Sequence, residues 1–261
     1  MTTVVVGTHD LRAALTAVRP HLDKDPDFET FRRVRLEIDP HNVYVAATDR
    51  VSAGLALVSV WKTEDSTGDN AILDLTPEQV DKVLQIFKAP KDKGDDPTAI
   101  LRLEVGDNYF TLTDVSGLPG INGQSLTQQR TATDDAFPDV PHLIARTRHG
   151  ELKWLEQFAA AGDRLSAFRI ASVVYKQPVV FEARTGTSAL SITVGESFLG
   201  ALMPVAIDED RAVEMKQWAV AWDARLPDPT LPARNTKTET TDAPPAAGPI
   251  VVTLRGKRDD Q

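Results

Sequence analysis

Apolar positions along the chain fall into a pattern that recurs three times: an amphipathic helix, then strands in which apolar and polar residues alternate. After a Val4–Val6 strand, Leu11, Leu15, Val18 and Leu22 fall at i, i+4, i+7 and i+11. That spacing is one face of a helix, which Thr8 is expected to cap. Alternation at Val34, Leu36 and Ile38, then at Val43, Val45 and Ala47, predicts two strands turned by Pro40-His41-Asn42. Leu55, Leu57 and Val60 predict a third strand. The second copy opens at Ile72–Leu75. Thr76-Pro77-Glu78-Gln79 reads as a capping box with proline at the first helical position. Val80, Val83, Leu84 and Phe87 supply the buried face, and Pro90 predicts the end of the helix. Strands over 100–105 and 109–112 pair across Gly106-Asp107-Asn108, with another near 124–130. In the third copy, Leu152, Leu155, Phe158 and Ala159 predict a helix that stops at Gly162. Strands over 178–183, 189–194 and 198–203 follow it.

One helix with three or four strands, repeated, is an α+β arrangement in which helices cover one face of antiparallel sheet. The repeats divide the chain into residues 1–140, with two units, and residues 141–210, with a third. Residues 211–225 have helical composition, with Val213, Trp218 and Trp222 as an apolar face. Residues 226–261 hold six of the seventeen prolines and no periodicity, the signature of a flexible tail. Near its end, the apolar run Ile250–Leu254 reads as a frayed end, an added edge strand or a peptide that pairs with a partner's sheet edge.

Composition narrows the chemistry. A chain of 261 residues, 41% apolar and 26% charged, buries a core without cross-links. With no cysteine, disulfides, thiolate metal sites and thiol nucleophiles are excluded. The five histidines show no metal-ligand spacing, and no serine sits in a nucleophile-elbow context. No glycine-rich phosphate loop with lysine is present, and Gly117–Gly123 reads as a mobile loop. Neither catalysis, a cofactor nor a metal is therefore expected. No apolar run approaches about 18 residues, and the first residues lack the basic start of a signal peptide, so the expected compartment is cytoplasmic. The formal charge is −9. That argues against a base-reading DNA binder but leaves room for one basic face on an acidic body.

Three segments, in order, carry a resemblance. Val45-Ala46-Ala47-Thr48-Asp49-Arg50 ends a strand, Phe137-Pro138-Asp139-Val140-Pro141-His142-Leu143 follows the second unit, and Leu202-Met203-Pro204-Val205 closes the third. On the repeating helix-and-sheet pattern over residues 1–207, they resemble the bacterial-type DNA polymerase sliding clamp. The resemblance implies the DNA-clamp fold and a non-catalytic processivity factor. It implies a ring around double-stranded DNA, helices lining the hole, and docking of DNA polymerase and clamp-loader proteins through a hydrophobic peptide pocket. The family has six such units per chain and closes as a dimer. A ring that keeps twelve units would take four copies of this three-unit chain.

The inner surface implied by the resemblance needs salt-sensitive phosphate contacts that allow sliding. Basic positions off the buried helix faces fit that need: Arg12 and Arg19 in the first unit, Lys82 and Lys88 in the second, Lys153 in the third. The pocket residues carried over by motif are Thr48, Arg50, Pro138, His142, Leu143, Met203, Pro204 and Val205. Val51-Ser52 and Ala206 depart from the family's pattern and imply a different peptide preference. Two other readings compete. One is a clamp-like interaction module that binds a replication factor without encircling DNA. The other is an α+β enzyme whose site lies outside these motifs.

Overall fold

A computed structural model of the chain describes residues 1–65, 71–88, 99–117, 123–134, 136–154, 157–227 and 230. The chain divides into two compact units, Met1–Ile207 and Asp208–Gln261. In the first unit, β1 (Thr2–Gly7) runs directly into α1 (Thr8–Val18), and β2 (Val34–Ile38), β3 (Asn42–Thr48) and β4 (Ser52–Asp65) follow. Next come β5 (Ala71–Leu75), α2 (Pro77–Ile86), β6 (Ile100–Val105), β7 (Tyr109–Asp114) and β8 (Ser125–Gln129). The unit ends with α3 (Val140–Arg148), β9 (Leu152–Lys153), α4 (Gly162–Tyr175), β10 (Val179–Arg184), β11 (Leu190–Val194) and β12 (Phe198–Leu202).

The described strands join in the order β8-β7-β6-β1-β4-β12-β11-β10-β9, with β3, β2 and β5 continuing from the other side of β4. Every pairing is antiparallel. The long strand β4 makes this possible. Its first residues pair with β12 and with β3, and Val60–Asp65 pair with β1. β4 thereby ties the third repeat to the first.

Alternation along the strands sorts the core onto two faces. Val43, Val45, Ala56, Val58, Phe198 and Leu202 join the main core with Leu11 and Leu15 of α1, Val80 and Val83 of α2, and Phe168 and Ala171 of α4. Their neighbours Ala46, Ala53, Leu55 and Ala201 face the other way and pack against Phe137, Val140 and Ile144. Helices α1, α2 and α4 thus cover one face, with α1 touching both others, and α3 covers the opposite face.

A pair of glycines lets α4 approach. Gly54 and Gly200 are cross-strand partners on β4 and β12. A Cβ on Gly54 would stand 2.6 Å from the His21 ring, and one on Gly200 would stand 2.5 Å from Phe168. The two rings, with centroids 4.7 Å apart, occupy the space that side chains would take.

The first two repeats match their expectation, with one correction at α1. Gly7, not Thr8, is the cap residue, and the buried Thr8 Oγ1 has no partner among the described residues. The Thr8 backbone N–H bonds to Ala99 O instead, because β1 enters the helix without a turn. The capping box of α2 is present on both sides. Thr76 Oγ1 accepts from Gln79 N at 3.3 Å, and Gln79 Oε1 accepts from Thr76 N at 2.9 Å. Thr76→Ala is expected to lower stability by about 1 kcal/mol, read from the urea midpoint at unchanged slope. Pro90, the glycine-loop residues 118–122 and the run Ile250–Leu254 lie outside the described residues.

The third repeat departs from its expectation. Leu152 and Lys153 form the short edge strand β9, and the helix begins at Gly162, where it was expected to end. Leu155 lies outside the described residues. Glycine was read as a C-terminal stop, but it is tolerated at either end of a helix. Asp163 in the first turn favours an N-terminus, and Pro178 lies just past the αL residue Lys176 at the far end. The three expected strands that follow are all present. Helix α3 was not expected; Asp139 caps it by accepting from His142 N at 2.8 Å, and Pro141 lies in its first turn.

The second unit contains α5 (Glu209–Asp223), capped by Asp208 and with no buried residue. Trp218 and Trp222 are exposed, each beneath an arginine guanidinium, Arg211 and Arg225 respectively.

Candidate functional site

On the α3 face of the sheet lies a cavity of about 470 Å3. One wall is the turn from Thr48 to Ala53 between β3 and β4. The second is the α3 face carrying Asp139, His142, Leu143, Arg146 and Thr147. Ala201 and Met203, at the end of β12, form the floor, and Gly186, Thr187 and Ala189 close the far side. Of the residues expected in a pocket, Thr48, Arg50, His142, Leu143 and Met203 line it. Pro138, Pro204 and Val205 do not. Val205 turns aside, its N–H donating to Ala159 O.

The turn is heavily cross-braced. Thr48 Oγ1 donates to Ser52 O at 2.8 Å. Asp49 Oδ1 accepts from Val51 N, Ser52 N and Ser52 Oγ. The other carboxylate oxygen of Asp49 pairs with Arg164 of α4, and the Asp49 side chain is fully buried. Val51 O accepts from Met203 N at 2.8 Å, which seats the floor against the turn. Arg50 sits at φ 73, a left-handed conformation that a residue with a side chain adopts only when its surroundings hold it there. Those surroundings include Asp23, whose Oδ2 accepts from Arg50 Nη2 at 2.9 Å, and Phe28, whose ring lies 3.5 Å beneath the guanidinium. Burial pushes the Asp23 carboxyl up, but the Asp25 backbone N–H and Arg50 outweigh it and hold it below the usual carboxylate range.

Behind the turn, His21 Nδ1 lies 3.0 Å from Ser52 Oγ. Ser52, His21 and Asp49 are the residue types of a hydrolase triad, but they are not arranged as one. Asp49 bonds to the serine rather than the histidine, and His21 is fully buried against Phe168 and Phe198. Burial, then the charge of Arg164, pushes the His21 ring down to about 3, so it stays neutral near pH 7. The trio braces the turn: Ser52 lines the cavity, but His21 and Asp49 are buried behind it and do not. Among the described residues, no cluster of three His, Asp or Glu side chains could hold a metal ion. Among them also, no helix is long and apolar enough to cross a membrane.

The basic residues expected to meet DNA separate into three kinds. Lys82 and Lys88 are exposed on and just after α2. Arg19 is also exposed, but its Nη2 pairs with Asp81 at 2.7 Å. Arg12 is turned inward. Its Nη1 donates to Leu84 O at 2.5 Å and to Phe87 O, satisfying carbonyls at the C-terminal end of α2. Lys153 stands on β9 rather than on a helix, because the helix expected there begins only at Gly162. Arg169, exposed on α4, escaped the sequence reading for the same reason.

No protein-family model matches the sequence, and no curated protein matches it. Solved structures do. The beta subunit of DNA polymerase III from Thermotoga maritima superposes with a TM-score of 0.56 at 14% identity, over 80% of this chain and 65% of that one. The DNA polymerase sliding clamp from Bacillus subtilis superposes with a TM-score of 0.53 at 8% identity, over 78% of this chain and 64% of that one. The fold is that of the bacterial DNA sliding clamp. The chain spans just under two thirds of the length of either clamp. Within the clamp fold, the turn after β3, the α3 start with Asp139, His142 and Leu143, and Met203 meet at one cavity, although they are far apart in sequence. Helix α3 adds Arg146 and Thr147 to that cavity, and the turn after β10 adds Gly186 and Thr187. The sequence motifs contain none of these four.

Proposed function

We propose that the chain is a DNA sliding clamp: a non-catalytic processivity factor that encircles duplex DNA as an oligomeric ring and docks replication proteins. The observation that carries this reading is the clamp fold together with the convergence of all three resemblance motifs on one apolar-floored cavity. Residues 1–140 would be a complete clamp domain and 141–207 half of another. The α1, α2 and α4 layer would face DNA, with Lys82, Lys88 and Arg19 as its phosphate contacts and Lys153 as an outlying one. Arg12 would act by holding α2 in place. The peptide pocket would be the α3 cavity, with DNA polymerase and clamp-loader proteins as its ligands. A tether of this kind raises the local concentration of polymerase on its template without chemistry of its own.

Ring closure needs surfaces for self-association. Among the described strands, the sheet ends at β8, at β9 and at β5. β8 carries no charge or proline and pairs with β7 without a bulge, with Gln79 Nε2 of α2 donating to Gln129 O at 2.9 Å, and Trp154, beside β9, is 85% exposed. Native mass spectrometry tests the ring. A discrete oligomer is expected, of four chains where the ring keeps twelve units. A strict monomer at micromolar concentration would remove the homo-oligomeric ring.

One observation favours a second reading, a clamp-like module that binds a replication factor without encircling DNA. Two of the expected DNA contacts, Arg12 and Arg19, are already engaged within the protein. Both readings share the pocket. Leu143→Ala combined with Met203→Ala is expected to weaken binding of a polymerase-derived peptide about tenfold or more, measured by calorimetry. Unchanged affinity would take the two residues out of the site.

A further inference from the structure

The mouth of the cavity is cationic on a chain that is acidic overall. Arg50, His142 and Arg146 line it, and Asp139 is the one carboxylate among its described lining residues. Asp139 is already committed, its Oδ1 capping α3 through His142 N. Arg50 is partly neutralised by Asp23. Arg146 differs from both: it is exposed, and its guanidinium has no ion-pair or hydrogen-bond partner among the described residues.

The position of Arg146 is informative. A cation in the last turn of a helix is favoured by the helix dipole, and both Arg146 and Arg148 meet that description. Arg148 leaves the helix end and donates to Thr193 Oγ1 at 2.8 Å on the sheet. Arg146 instead faces the cavity. It stands one turn after His142 on the same helix face, beside Leu143. The apolar floor of Ala201 and Met203 therefore lies next to an unpaired planar guanidinium, the donor geometry that best matches a carboxylate.

We infer that Arg146 is a specificity-determining residue of the cavity, and that the segment docking there carries a carboxylate next to its apolar anchors. The inference rests on reading the cavity as a peptide site. The apolar anchors fill the Leu143–Met203 trough, and a glutamate or aspartate of the partner pairs with Arg146 at the rim. Arg50 is engaged by Asp23, so peptide choice is set chiefly by Arg146 of α3, which lies outside all three resemblance motifs.

The test uses the full chain and fluorescein-labelled hexapeptides of leucine and phenylalanine with one position varied between glutamate and glutamine. Fluorescence anisotropy reads the affinity. The best glutamate peptide is expected to bind about tenfold tighter than its glutamine twin, with the gap narrowing as salt rises. In Arg146→Gln the gap should close while the glutamine twin binds as before. Arg146→Lys should restore part of it, which a merely structural role would not do. Equal binding of the twins to the wild-type chain overturns the inference, as does a gap that survives Arg146→Gln. Displacement of the glutamate peptide by a short single-stranded oligonucleotide, with Arg146→Gln abolishing it, would assign the rim to phosphate instead. If neither twin binds at millimolar concentration, the peptide-site reading falls, and the inference with it.

Discussion

Acidification from pH 7 to pH 4.5 is expected to remove about 3 kcal/mol of stability through His21 alone. The folded ring titrates near 3, well below its ordinary 6.5. Between those values the unfolded chain binds a proton that the folded chain does not. The stabilising contribution is therefore complete above about pH 6.5 and is lost as pH falls toward 3. Asp23, Asp134, Glu64 and Glu78 are held below their usual carboxylate values and add losses in the same direction. Those losses begin nearer pH 4, and Glu37, pushed up by burial, acts in the opposite direction, so the fall above pH 4.5 comes chiefly from the histidine. Urea midpoints measured across that window should fall steeply in the wild-type chain. In His21→Phe, which keeps a ring over Gly54 but cannot titrate, they should fall much less. Should the variant not fold, the wild-type ring itself can be titrated by NMR. A normal midpoint near 6.5 for His21 would refute the assignment.

The same brace explains why the cavity was only partly legible in the sequence. Thr48, Arg50, His142, Leu143 and Met203 could be named because they stand in the three segments that resemble the sliding clamp. Nothing local in the sequence says that Asp49 pairs with Arg164, 115 positions away. That pairing follows from β4 joining β12, a long-range choice of register that alternation alone does not specify. The first two repeats were readable because each has unambiguous punctuation: a capping box at Thr76, a turn at Gly106 and strict alternation in β2 and β3. The third failed at its helix because the stretch before Gly162 is rich in good helix formers yet has no cap. The true helix, α4, contains Ile170, Val173 and Val174, β-branched residues that look strand-like in isolation. Tertiary packing of Phe168 and Ala171 against α1 and β12 decides it.

Reversing Arg19, Lys82 and Lys88 together to glutamate is expected to weaken DNA association by roughly a hundredfold or more and to abolish processive synthesis. Each cation–phosphate pairing removed should lower the slope of log affinity against log salt by about 0.9, so removing all three lowers it by about 2.7. The fold should survive, because all three side chains are exposed and the one pair broken, Arg19 with Asp81, is a surface pair worth little. Arg12→Ala provides the opposite control. Its guanidinium satisfies the Leu84 and Phe87 carbonyls, so the substitution should lower the melting temperature and leave the salt slope nearly unchanged. The two variants thus separate a layer that attracts phosphate from a layer that merely packs. If the triple reversal kept both the wild-type slope and processivity, α1 and α2 would not be the DNA face. The module that binds a replication factor without a ring would then be the better account of this fold. If the slope fell by the expected amount while the chain stayed folded, the acidic body and the basic helix face would be parts of one design. Repulsion by the rest of the surface would keep DNA on the helix side, and salt-sensitive attraction without base recognition would leave it free to slide.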